Sequence, residues 1–569
     1  MRFRLPSRFA RAAIAGPAIG VMLAAGPATA QITDLSQSTA GAYLAARAAE
    51  VRYDLDVAAA FYQEVYERDP GNIPLAVQVM SLWVESGIVE QAVPLAESVI
   101  AADPGYEPAR LVLAADAIHE GEFDLASRNI AAIAGNDFSD LTTALLEAWS
   151  AVGRGEIGAA IAGLEGGGLL HSFHAALIAD LDGRSDEALE FMADVYDPGQ
   201  TQRVVEGYAR VLARAGRTVE AEDVVTNFLA DVPAHPRLSA LLEELQSGAE
   251  IAPMVGNATE GAAEVFYGLA SSLVAADGFQ AAINYLQLSR YLGQSGALAD
   301  ILLGQLLQSQ GRHTEAVAVL DSVEDEAPFA TTAAIAASVS DASRGRADDA
   351  VARLVPVVEA DPQNVTAVDT LASIYRSESR WQDAVDVLSV TIDVLPSFDG
   401  SHWRLFYSRG VAFERMGEWP DAERDFERAL VLSPSEADVL NYLGYSWLEQ
   451  GVNFTEAFDM IERAVEQRPE AGHIVDSLGW AYYKLGNYQA AVATLERAVE
   501  LMPHQPDIQE HLGDALWRAG RRLEAMFQWR HALAYDPREE VIERLQDKLK
   551  NGLPDLADDV PAEGIMEID

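Results

Sequence analysis

A period of 34 residues constrains this chain more than any other feature. Leu478-Gly479, Tyr482, Gly486, Tyr488, Ala491, Leu495, Ala498 and Pro503 return 34 residues later as Leu512-Gly513, Leu516, Gly520, Arg522, Ala525, Trp529, Ala532 and Pro537. One period earlier stand Ala457, Ile461, Ala464 and Pro469, with one extra residue between Gly451 and Ala457. Before them come Gly410, Phe413, Gly417, Trp419, Ala422, Phe426, Ala429 and Pro434. The alanine recurs at Ala384, Ala350, Ala316 and Ala282, and near the N-terminus at Ala58, Ala92 and Ala126. Between 141 and 235 the pattern loosens, though Gly183 with Ala188 and Gly216 with Ala221 keep it. About fourteen units follow, and a chain with such a period stacks repeats along one axis instead of building several separate cores.

The unit has a physical logic. Small residues at two fixed places let two antiparallel helices approach, and bulky residues fill the space between them. A glycine ends the first helix in a left-handed turn, and a proline stops the second. On these residues the chain resembles the tetratricopeptide repeat. The fold implied is all-α: a solenoid of antiparallel helix pairs stacked into a superhelix, in two arms.

The phase breaks once, since Ala221 and Ala282 stand less than two periods apart and the residues from Gln246 to Asn257 read as a loop. The expected layout is therefore a leader over 1–30, an N-terminal arm over 31–235, and a capping helix with linker over 236–262. A C-terminal arm over 263–539, a capping helix over 540–550 and a disordered acidic tail over 551–569 complete it. The leader has Arg2, Arg4, Arg8 and Arg11 before an apolar run from Ala12 to Ala25, then Pro27-Ala28-Thr29-Ala30. Those are the three parts of a cleaved secretory signal, and the run is shorter than the roughly 20 residues of a spanning helix. No later stretch reads as a transmembrane segment, so the expected location is the periplasm. Cysteine is absent, which excludes disulfides and the acylated cysteine of a lipoprotein.

Charge narrows the partners. With 40 Lys plus Arg against 88 Asp plus Glu, the net charge is −48, a surface that repels nucleic acid. None of the three lysines (Lys484, Lys548, Lys550) follows a glycine, so there is no P-loop. No H-E-x-x-H, G-x-S-x-G or calcium loop occurs either. His171 and His174 are three apart but lack a third ligand. No catalytic residue, metal site or cofactor is expected, and the chain reads as a non-enzyme.

In the repeat family the first helix of each unit lines the concave face. Transferred by position, the residues implied for partner binding are Tyr407, Asn441, Tyr445, Asp476, Trp480, Tyr483, Lys484, Trp517 and Arg518. Aromatic side chains are common anchors, and Asn441 suits an extended peptide backbone. Lys484 and Arg518 share one position in neighbouring units and suit a carboxylate. The runs from Asn441, Asp476 and His511 are also similar to bacterial cell-envelope repeat proteins, including adaptors for C-terminal processing proteases. That resemblance implies a protein-binding scaffold or adaptor delivering substrates to an envelope protease. A scaffold for outer-membrane or polysaccharide assembly, or a regulatory subunit of an envelope enzyme, are the alternatives.

Overall fold

A computed structural model describes residues 38–133, 137–197, 201–233, 235–293, 297–324, 328–535, 537 and 539–554. The expected leader lies outside these residues. The described residues form α-helices and contain no strand, and the chain divides into two compact units at Leu306/Leu307.

The first unit begins with pairs α1 (Thr39–Glu50) and α2 (Leu55–Arg68), then α3 (Ile73–Glu85) and α4 (Val89–Ala102). Next are α5 (Glu107–His119) and α6 (Phe123–Ala131), then α7 (Asp137–Gly153) and α8 (Ile157–Leu164). The pairs α9 (Leu169–Leu181) with α10 (Ser185–Val195) and α11 (Gln202–Arg214) with α12 (Thr218–Asp231) continue the stack, which α13 (Pro236–Ser247) ends. The loosely periodic stretch thus folds like the rest. Beyond Gly248, whose positive φ caps α13, come α14 (Ala258–Ala275) and α15 (Phe279–Tyr291), and α16 (Ala297–Ser309) runs across the division.

The second unit continues through α17 (His313–Leu320), α18 (Ala330–Ser343), α19 (Ala347–Ala360), α20 (Val365–Ser377) and α21 (Trp381–Val394). Then come α22 (Trp403–Met416) with α23 (Trp419–Leu432) and α24 (Ala437–Gln450) with α25 (Phe454–Gln467). The pairs α26 (Gly472–Lys484) with α27 (Tyr488–Leu501) and α28 (Pro506–Arg518) with α29 (Arg522–Ala534) precede a last helix, α30 (Glu539–Asn551).

Close approach explains the recurring spacing inside each pair. A Cβ on Gly479 would lie 2.5 Å from Leu495 Cγ, and one on Gly513 would lie 2.4 Å from Trp529 Cδ1. Across from them Ala491 and Ala525 are fully buried. Gly486, at φ +80°, makes the turn between α26 and α27, a conformation that costs an L side chain energy.

The 236–262 segment is not the joint expected from the sequence. It reverses the chain, so that α14 packs on α7 and α15 packs on α3 and α5. These are first helices of their pairs, and the returning helices cover their faces. Gln287 Nε2 donates to the Glu85 carbonyl at 2.8 Å, Tyr291 Oη to Asp116 at 2.9 Å, and Thr259 Oγ1 to the Ile118 carbonyl at 3.4 Å. Gly261 sits flat on Trp149, where a Cβ would come within 2.1 Å of the ring. Arg203 on α11 bridges Glu206 (2.7 Å) and the buried Glu264 of α14 (3.0 Å). The loop itself is tied down by Arg210 and Arg214, which donate to the Ala252 and Ile251 carbonyls. This burial of α14 and α15 puts the division at 306/307 and not between 236 and 262.

At the other end α30 caps the stack, burying its own Val541 and Leu545. The residues just after it, expected to be disordered, pack instead: Gly552 lies against the Trp517 ring, and Arg518 Nη1 donates to the Pro554 carbonyl at 2.7 Å. From 555 onward the acidic tail lies outside the described residues.

Candidate functional site

Successive first helices of the second unit lie side by side, and between α22 and α30 they leave an open groove of about 820 Å³. Three of the nine residues expected at a partner site, Asn441, Tyr445 and Asp476, line it. Asn441 sits on α24 with its Oδ1 buried and without a hydrogen-bond partner. A buried acceptor left unpaired costs about 1–3 kcal/mol, so a donor arriving in the groove would recover that loss.

Tyrosines and carboxylates dominate the remaining wall. Tyr442 donates to Glu414 Oε2 at 3.0 Å, and burial followed by that charge raises its phenol above the usual value. Burial also raises Tyr445, reinforced by Glu449, Asp476 and Asp507. Both phenols therefore stay neutral and can donate hydrogen bonds. Glu414, Glu449, Asp476 and Asp507 line the groove together with Arg415, Arg544, His473 and His511, and Arg415 pairs with Glu414 at 3.4 Å.

His511 holds Asp476 at 2.9 Å from Nδ1 and stacks on Trp480 with centroids 4.2 Å apart. Burial alone would lower its pKa, but the Asp476 carboxylate beside it, with Asp514 and Glu510 nearby, outweighs that and raises it. The groove wall thus favours the protonated form of this ring more than water does.

The other expected residues are engaged elsewhere. Trp480 stacks on Tyr483 at 4.5 Å and donates to Glu449 Oε1 at 2.5 Å. Lys484 pairs with the same carboxylate at 3.2 Å. Arg518 is taken by the Pro554 carbonyl, so these two cations do not present a joint carboxylate clamp. Trp517 packs on Trp529 at 5.3 Å and under Gly552, and Tyr407 packs edge-on to Tyr442 at 6.0 Å. In the last repeat, Glu510 and Asp514 are buried beneath α30, where Lys548 bridges them at 2.6 and 2.5 Å and Arg544 binds Glu510 through two nitrogens.

His511 and Arg544 are groove residues that the family positions do not indicate. His511 could have been found from Asp476, since the two stand 35 apart and so meet on adjacent first helices. Arg544 comes from the cap, outside the repeat pattern. Among the described residues no cluster of His, Asp and Glu is arranged to hold a metal. In the His171/His174 pair, His174 is buried, accepts from Trp149 Nε1 at 3.0 Å, and has its pKa lowered to about 3 by burial.

The repeat's spacing, its tight glycine contacts and its paired helices meet in family profiles described as tetratricopeptide repeat, which match residues 202–225, 267–331 and 407–472, and as TPR repeat over 479–520. This is a tetratricopeptide-repeat protein. Proteins of this kind bind proteins or peptides. A TPR repeat-containing protein of Pseudomonas aeruginosa is 26% identical over 147 residues, which cover 25% of this chain and 24% of that relative. A chain from a solved hetero-tetramer, APC/C Cut9–Hcn1, is matched over 92% of this chain and 98% of its own, at TM-score 0.39 and 14% identity. YrrB, described as a TPR protein with an unusual peptide-binding site, is matched over 34% of this chain and 97% of its own, at TM-score 0.27 and 16% identity. No described helix is long and apolar enough to cross a membrane.

Proposed function

We propose that this tetratricopeptide-repeat protein is a periplasmic scaffold or adaptor, and that the groove of its second unit holds an extended segment of a partner protein. The buried, unpartnered Asn441 Oδ1 beside Tyr442 and Tyr445 carries the reading. A peptide N–H satisfies such an oxygen, and the two phenols give apolar faces with polar ends. The groove carboxylates favour a segment with a basic side chain among apolar ones, although Arg415, Lys484 and His511 already pair with Glu414, Glu449 and Asp476. The arginine-led apolar segment ending at Ala30, read as a cleaved secretory signal, supports the periplasmic location. The runs from Asn441, Asp476 and His511, similar to envelope adaptors, support delivery of substrates to a C-terminal processing protease.

A photo-crosslinking residue at Ser446, in an envelope fraction, tests this. Partner adducts should appear and should vanish in Asn441→Ala with Tyr445→Ala, while helicity stays unchanged. Adducts that persist in the double variant would move the site elsewhere. Identification of the adduct as a processing protease or its substrate would support the adaptor role, and an assembly factor in its place would refute it. N-terminal sequencing of the mature protein should begin at Gln31.

A further inference from the structure

The return of α14 and α15 onto the first unit does not fill all the space it covers. A pocket of about 270 Å³ remains where α15 crosses α3, α5 and the start of α7. Met80, Val84, Leu111, Val112, Phe138 and Leu288 make it apolar. Its polar edge carries two acceptors, the Glu107 carboxylate, which takes the Ser139 hydroxyl at 2.7 Å on one oxygen, and Asn284, whose Oδ1 is buried with no hydrogen-bond partner, beside the hydroxyls of Ser81 and Tyr285. None of the lining residues is Arg, Lys or His. Tyr285 stays neutral, because burial first, and the Glu107 charge after it, push its phenol up to about 12.

We infer that this pocket is a binding site for a small apolar molecule bearing one ammonium group. Its size suits about ten non-hydrogen atoms, near the lower end of ligand pockets. The two acceptors at the edge call for N–H donors, and the uncompensated carboxylate selects a cation over an anion or a neutral molecule. Because the walls come from both the early helices and the returning pair, a ligand here binds only while α15 is docked, and so stabilises that docking by mass action.

The test is titration calorimetry and thermal melting of the intact chain with phenethylammonium, phenylacetate and ethylbenzene as probes. Phenethylammonium should bind and raise the melting of the first unit, and the other two should bind at least about tenfold more weakly. Glu107→Gln, which keeps an acceptor for Ser139, should weaken phenethylammonium about tenfold. Leu111→Trp should fill the pocket and abolish binding. If that variant does not fold, Asn284→Leu, which removes the second acceptor, should weaken binding in its place. Equal affinity for the three probes, no binding of phenethylammonium at millimolar concentration, or indifference to Glu107→Gln would each overturn the assignment.

Discussion

The two units meet the same problem of a concave face in opposite ways. In the first, α14 and α15 come back to cover α3, α5 and α7, with Gly261 flat on Trp149 and Glu264 clamped by Arg203. In the second, the faces of α24, α26 and α28 stay open along the groove, and α30 covers only the last repeat, over Glu510 and Asp514. The same repeat therefore serves as a receptor for its own chain in one place and as a free surface in the other. What decides between them is the segment that follows the stack, not the residues on the first helices.

The clamp of the first unit is where that contrast is most easily broken. Arg203→Ala leaves Glu264 buried with its main partner gone, a change that costs about 3–5 kcal/mol. Urea unfolding should show this loss in the first unit with the second unchanged, and proteolysis should begin within 248–257. An effect no larger than that of breaking an exposed ion pair such as Arg217–Glu220, whose side chains are both about half exposed on α12 and its N-terminus, would mean the returning helices are held by packing alone.

A smaller loss is expected from the cap. Lys548→Ala removes a cation shared by Glu510 and Asp514, but Arg544 still binds Glu510, so about 1–3 kcal/mol should be lost from the second unit alone. Hydrogen exchange in α28 and α30 should rise while α24 keeps its protection. Uniform exchange across the unit would show that the cap is not a separable element.

Within the groove, Tyr445→Ala should weaken partner capture about tenfold, or ~1.4 kcal/mol, with little change in unfolding. Trp517→Ala should do the reverse, because its ring is packed on Trp529 and under Gly552. If Trp517→Ala reduces capture more than Tyr445→Ala, the open face lies under the C-terminal residues and not along α24.

The smallest effect belongs to pH. Since the His511 pKa is raised in the fold, its contribution is fully present below the ordinary histidine value and is lost as pH rises through the higher, folded value. Unfolding midpoints of the second unit should therefore fall, relative to His511→Gln, as pH rises above the ordinary histidine value. A parallel pH profile in the variant would place the dependence elsewhere.

Much of the fold was legible because the repeat writes its contacts locally. Gly479 and Gly513 announce the close helix pairs, and Gly486 announces the turn. The self-covered face was not legible, because it depends on contacts such as Gln287 to Glu85, 202 residues apart. The phase break at 236–262 recorded that something changes there, but a reversal and a joint between arms leave the same mark in the period. At the groove, Asn441, Tyr445 and Asp476 were placed by register alone. Trp517 and Arg518 occupy equivalent register yet are consumed by the residues after α30, which belong to no repeat.

The return of α14 and α15 also fixes how many repeats the first unit can have. A stack whose members touch only their neighbours can gain or lose one by duplication or deletion, with each new member meeting surfaces like those it separates. Here α15 must reach α3 while α14 reaches α7 and α11, so the span between those partners acts as a ruler. An extra repeat inserted between α4 and α7 would pull Glu85 away from Gln287 while Trp149 still held Gly261. The second unit has no such measure along its open stretch, and variation in length among related proteins should gather there.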